Sequence, residues 1–177
     1  MAATSQISRM PAEEHERRRR RADSPLQSLW ALLDEVKDPE IPVISIWELG
    51  ILQDIAMRGE TVVVTITPTY SGCPAMDAIA EDVTAALAAA GYADSEVVNR
   101  FSPAWSTSWI TAEAQEKLRA YGIAPPGQGC GGGAQEVQCP RCGSRNVRSI
   151  SEFGSTACKA LYQCGDCAEP FDHFKPI

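Results

Sequence analysis

The stretch Thr61-Val62-Val63-Val64-Thr65-Ile66-Thr67-Pro68-Thr69-Tyr70-Ser71-Gly72-Cys73-Pro74 reads as a strand, a loop and the opening of a helix. Its first seven residues are all β-branched, which suits a pleated, half-buried strand. Pro74 opens the helix, and Met76, Ile79, Ala80, Val83, Leu87 and Ala90 then share one face. Gly91 stands where a left-handed C-terminal cap is expected. Upstream, Ile51 to Met57 forms a partner strand across a tight turn at Arg58-Gly59-Glu60. A hairpin followed by a helix, with a third strand at Val97 to Phe101, predicts an α+β domain: a small mixed sheet packed with helices.

Ser24 and Pro25 begin an earlier helix, along which Leu26, Leu29, Trp30, Leu33 and Val36 recur at helical spacing as far as Lys37. Asp38-Pro39-Glu40-Ile41-Pro42 ends it in a loop, because the residue before each proline is pushed out of helical space. Thr111 caps a last helix over Ala112 to Tyr121, and Gly122 follows its end. Residues 24–124 thus make the α+β domain, and residues 125–135, rich in Gly and Pro, make a linker. Residues 1–23 carry Arg17 to Arg21 among glutamates and show no apolar face, so they are expected to be a disordered, solvated tail.

Beyond the linker, residues 136–177 contain Cys139-Pro140-Arg141-Cys142 and Cys164-Gly165-Asp166-Cys167, with 21 residues between the knuckles. Two thiolates two residues apart share one ion without strain, and a second pair closes the tetrahedron that zinc prefers. Gly143 follows the first knuckle, where the chain must turn sharply. The segment is therefore expected to be a β subdomain of the zinc-ribbon kind, folded by zinc on Cys139, Cys142, Cys164 and Cys167. The same soft donors suit an iron-sulfur cluster, and spacing alone does not separate the two. A closed four-sulfur site leaves no position for substrate, so its default role is structural.

Cys73 precedes a helix start, where unpaired N–H groups and the helix dipole favour a thiolate that is nucleophilic or metal-binding. The alternative is a small buried residue. Cys158 reads as a core thiol or an alternative ligand, Cys130 lies in the flexible linker, and His173 is expected to pack or lie at the surface rather than act as a fifth ligand.

With 44% hydrophobic residues the 177-residue chain is globular. Its net charge of -7 argues against nucleic acid as a partner. No apolar run is long enough for a membrane span, and seven cysteines with four in knuckles fit a reducing, cytoplasmic setting. There is neither a Glu-x-x-His pair for a di-iron centre nor a Gly-rich dinucleotide fingerprint, so no redox turnover is expected of the chain itself.

Asp38-Pro39-Glu40-Ile41-Pro42-Val43, Leu49-Gly50-Ile51, and Thr67-Pro68 leading to Gly72-Cys73-Pro74 resemble the SufT-like iron-sulfur assembly domains. Pro103 to Trp109, Tyr121-Gly122-Ile123, Ser151 to Tyr162 and Glu169 to Asp172 resemble the PaaD (PaaJ) subunits of phenylacetyl-CoA 1,2-epoxidase, and the likeness runs from about residue 26 to 177. The resemblance implies an accessory, non-catalytic role in aerobic phenylacetate breakdown, beside the oxygenase and reductase subunits, in which iron or iron-sulfur cofactors are assembled. It implies that Cys73 holds transient iron or a cluster, with Asp38 and Glu40 in an acidic loop near it. A purely structural subunit is the alternative, and a homodimer is compatible with either. Glu48, Ser108 and Pro176 depart from the family pattern, and Ser108 leaves its segment without an acidic ligand.

Overall fold

The computed structural model describes residues 12–127 and 137–177. The run that predicts the fold forms β4 (Thr61–Ile66) between β3 (Leu52–Arg58), antiparallel to it, and β5 (Ser95–Asn99), parallel to it. Parallel neighbours need a crossover, and α3 (Ala75–Ala89) supplies it. Along β4, Val62, Val64 and Ile66 are buried while the residues between them are half exposed, as period-two alternation requires. Met76, Ile79, Val83 and Leu87 of α3 cover that face. Each buried Val, Ile or Leu there contributes about 1.5–3 kcal/mol.

The helix at residues 24–37 is shorter than its apolar spacing suggests. α2 covers Gln27–Leu33, and the chain then enters β1 (Lys37–Asp38), which turns through Pro39 and Glu40 into β2 (Ile41–Ser45). Ile46 N–H bonds to Val36 O at 3.0 Å, so Val36 belongs to this ribbon of backbone instead of to the helix. The expected loop at residues 38–42 is thus a tight two-stranded turn. Ser24 does not cap α2; its hydroxyl accepts from Leu26 N–H one step earlier. The third strand also lies two residues before its expected place. α4 (Ala112–Tyr121) matches its expected bounds: Thr111 Oγ1 accepts from Ala114 N–H at 3.1 Å and Gly122 takes φ 97°. Gly50, at φ 83°, lies so close to Trp109 that a Cβ would come within 2.7 Å of the tryptophan's own.

The N-terminal expectation requires correction. Residues 12–23, read as part of a disordered tail, form the helix α1 (Ala12–Asp23), while residues 1–11 lie outside the described residues. What docks α1 is polar. The fully buried Arg17 donates to Trp47 O, Leu52 O and Trp109 O at 3.0–3.2 Å, pairs with buried Glu14, and lies 3.9 Å over the Trp47 ring.

The C-terminal sheet has the order β6-β9-β8-β7, where β6 is Ile123–Ala124, β7 Val147–Ser151, β8 Lys159–Cys164 and β9 Pro170–Phe174. β6 precedes the linker yet pairs in parallel with β9, so the ribbon includes a strand from the far side of that linker. Phe174 is fully buried against Trp105, 5.8 Å between ring centroids, and Cys158 and Phe174 belong to the main core. Most of the linker, with Cys130, lies outside the described residues. Among the described residues no helix is long and apolar enough to cross a membrane.

Candidate metal centre and thiol site

The two knuckles meet as their spacing requires. The sulfurs of Cys139, Cys142, Cys164 and Cys167 all lie within 4.8 Å of one another, with Cys139 to Cys167 at 3.7 Å and Cys142 to Cys164 at 3.6 Å. A tetrahedron with metal-sulfur bonds of about 2.3 Å has edges of about 3.8 Å, so the donor set fits a single tetrahedral ion. The N–H groups of Asp166 and Cys167 point at Cys164 Sγ, at 3.4 and 3.5 Å, and would offset charge on a bound thiolate. Each knuckle is followed by a left-handed residue, Gly143 at φ 74° and Ala168 at φ 63°. Gly143 follows the expected pattern; its counterpart Ala168 gives no sequence signal because alanine seldom adopts that conformation. His173, on β9, is buried with its ring edge-on to Tyr162, as a packing residue.

A second constellation forms where the β1–β2 turn, the β4–α3 loop and the β7–β8 loop converge. Asp38 is buried, and its Oδ1 accepts from Glu40 N–H at 2.9 Å and Ile41 N–H at 2.8 Å, which fixes the turn and carries Glu40 with it. Cys73 is partly buried just before the N-cap of α3. Its sulfur accepts from Ala75 N–H and Thr69, and it is hydrogen-bonded to the Tyr70 hydroxyl. The three residues singled out in the sequence therefore lie together.

The electrostatics differ from the helix-start expectation. Burial pushes the Cys73 thiol above its ordinary pKa; the Ala75 N–H opposes this, and Glu40 and Asp38 add to the rise. The helix start does help the thiolate, but desolvation outweighs it. Asp38 is likewise raised by burial against its two N–H donors, and Glu40 by burial and then by Asp38. Every acid here is held toward its protonated form.

Three residues of the ribbon also belong to this place. The Thr156 hydroxyl bonds to Glu40 and lies 3.0 Å from Cys158 Sγ. Lys159 is buried, stands 4.0 Å from Asp172, and exerts a positive field on Asp38, Glu40 and Cys158. Cys158 lies in the main core, against which Cys73 packs. Spacing could not place Thr156 and Lys159 near Glu40, more than a hundred positions away; the available signal is a hydroxyl, a thiol and an amine crowded into Thr156 to Lys159. The segment from Trp105 to Trp109 plays a packing role. Trp105 Nε1–H donates to Leu49 O at 3.0 Å, and Ser108 bonds to Ser106.

Comparison with known proteins gives two family matches: an iron-sulfur cluster assembly protein over residues 26–99 and a PaaD zinc beta ribbon domain over residues 124–175. A putative D subunit of 1,2-phenylacetyl-CoA epoxidase from Escherichia coli is 49% identical over 154 residues, covering 86% of this chain and 93% of that protein. An Fe-S protein maturation auxiliary factor from Porphyromonas gingivalis is 34% identical over 89 residues, covering 49% of this chain and 84% of its own. The crystal structure of a domain of unknown function from Bacillus anthracis is similar at a TM-score of 0.48 and 32% identity, over 52% of this chain and 89% of that one.

Proposed function

Because the chain belongs to the PaaD family of phenylacetyl-CoA epoxidase components, we propose that it is a non-catalytic accessory component that helps load iron or iron-sulfur cofactors into the oxygenase or reductase of that system. The observation that carries this reading is the meeting of Cys73 with Asp38 and Glu40, three soft and hard donors on two loops of the α+β domain. Similarity to an Fe-S maturation factor over about half the chain supports the same assignment.

Cargo iron bound there displaces the proton that burial holds on Cys73, so affinity rises with pH and release is favoured by protonation. The Asp38 turn orients Glu40, and the Tyr70 and Thr69 hydroxyls hold the sulfur in place. The ribbon takes zinc at Cys139, Cys142, Cys164 and Cys167 as a structural ion, and the chain works in the cytoplasm beside its clients without turnover of its own.

Cys73→Ser tests the reading. The variant should fold as the parent does, while iron in co-produced oxygenase and reductase falls several-fold. Unchanged client iron and epoxidation would sink the assignment. It would also favour a purely structural subunit, the reading that a partly buried Cys73 held toward its protonated form supports.

A further inference from the structure

The first knuckle runs on through Gly143, Ser144, Arg145 and Asn146 before β7 begins, and the second encloses Gly165 and Asp166 between its cysteines. These flanks meet. The Ser144 hydroxyl donates to Asp166 Oδ2 at 2.5 Å and Asn146 Nδ2–H donates to Asp166 Oδ1 at 2.7 Å, so one carboxylate in the second knuckle accepts from two side chains of the segment that leaves the first. Ser144 Oγ accepts in turn from Asn146 N–H at 3.0 Å. Backbone closes the same joint: Gly165 N–H donates to Asn146 O at 2.7 Å, and Cys139 N–H donates to Ser144 O at 2.9 Å. Gly165 has no room for a side chain, since a Cβ there would stand 2.5 Å from Asn146 Nδ2. Asp166 also aims its backbone N–H at Cys164 Sγ, 3.4 Å away. The residue whose carboxylate joins the knuckles is thus one whose amide faces a donor sulfur.

We propose that Asp166 is a positioning residue of the four-cysteine centre: with Ser144 and Asn146 it forms a clasp behind the sulfurs, which holds the two knuckles at the spacing of one tetrahedral ion and so sets how tightly, and for how long, that ion is kept. The clasp is independent of the reading of Cys73.

Charge alone argues against an acid at this place. Four thiolates around a dication carry an excess of negative charge, so the field of a further carboxylate opposes the filled centre. What Asp166 contributes is therefore geometry. The sulfur pairs that lie 3.6 and 3.7 Å apart each take one cysteine from either knuckle, Cys142 with Cys164 and Cys139 with Cys167. Releasing the ion requires the knuckles to part, and they part only when both bonds to Asp166 and the Gly165 to Asn146 bond break together.

The test uses the full chain loaded with zinc at the four-cysteine centre. Zinc affinity is read by competition with a coloured chelator, and zinc release by the rate at which the chelator takes it up. Cobalt(II) in place of zinc reports, through its thiolate charge-transfer band, how many sulfurs bind. Asp166→Ala should weaken zinc about 10–100-fold, the usual cost of losing a group that orients a metal ligand, and should speed its release, while cobalt at saturation keeps the four-thiolate band. Asp166→Asn keeps an acceptor for Asn146 and turns its other atom into a donor to the Ser144 oxygen, so it should restore most of the affinity. Asn146→Ala added to Asp166→Ala should cost little more, because both remove the same bond; a substitution that merely softened the ribbon would add its full effect. Should Asp166→Ala fail to fold, Ser144→Ala removes one bond of the clasp and should still weaken zinc measurably; affinity equal to the parent's in that variant would overturn the proposal. So would an Asp166→Ala variant that holds zinc as tightly as the parent or more tightly. Equal weakening by Asp166→Ala and Asp166→Asn would also overturn it, by assigning the effect to charge.

Discussion

At the scale of single residues, His173 sets an acid limit on this fold. It is 4% exposed on β9, and its Nε2 has no hydrogen-bond partner among the described residues. Burial pushes its pKa down to about 4. An unfolded chain takes up the proton below about pH 6.5. The unfolded state therefore binds more protons between about 6.5 and 4, and the stability His173 contributes as a neutral ring is complete above that window and lost as pH falls through it. The loss is on the order of 2–3 kcal/mol across the window. His173→Phe removes the titrating ring and an unpartnered polar atom together, so its stability at pH 7 should equal or exceed the parent's. Urea denaturation at pH 7 and pH 5 checks this. Metal release in acid weakens both proteins, so the difference between their slopes isolates the imidazole, and parallel slopes would refute the assignment.

At the scale of elements, α1 shows where sequence and structure part. β3, β4, α3 and α4 were legible because apolar periodicity and caps determine them locally: Val62, Val64 and Ile66 alternate, and Thr111 and Gly122 bracket α4. The four knuckle cysteines were legible for the same reason, since their spacing carries the chemistry. α1 was not, because its anchors are arginines whose partners are silent in composition: Arg17 on the carbonyls of Trp47, Leu52 and Trp109, and Arg21 on Asp34 and the Trp47 ring. The ribbon's approach to the β1–β2 turn was illegible for a related reason: Thr156 and Lys159 act on Glu40 only once the fold has formed. Arg17→Met follows from this geometry. It leaves three carbonyls without their donor and Glu14 with Arg18 as its remaining cation, a cost of about 1–3 kcal/mol for each carbonyl if the helix stayed docked. Releasing α1 costs less, so hydrogen exchange should show protection lost over residues 12–23 and kept in β3 and β4. Adding Glu14→Gln should recover part of it. Retained protection of α1 in the single variant would show that other contacts hold the helix.

At the scale of the whole molecule, the metal centre bears on more than the ribbon. Binding a structural zinc ion contributes about 10–16 kcal/mol in small metal-folded domains, as much as the entire stability of an ordinary domain, so chelation should unfold the ribbon outright. The ribbon does not unfold alone. Phe174 leaves Trp105, Cys158 leaves the main core, and Thr107 N–H loses its 3.1 Å bond to Ile177 O. Removing one buried phenylalanine from a core costs about 3–5 kcal/mol. For a chain of this size each kcal/mol moves the midpoint by about 2–4 °C. Chelation should therefore lower the Tm of the α+β domain by roughly 6–20 °C and shift tryptophan emission to the red as Trp105 is uncovered. Phe174→Ala, with the metal retained, should reproduce most of that shift, because it empties the same contact without touching a thiolate. An α+β transition unmoved by chelator would mean that the shared core contributes nothing to stability. The packing of Phe174 on Trp105 would then be a contact between independently stable bodies, and Phe174→Ala would likewise leave the α+β transition where it is.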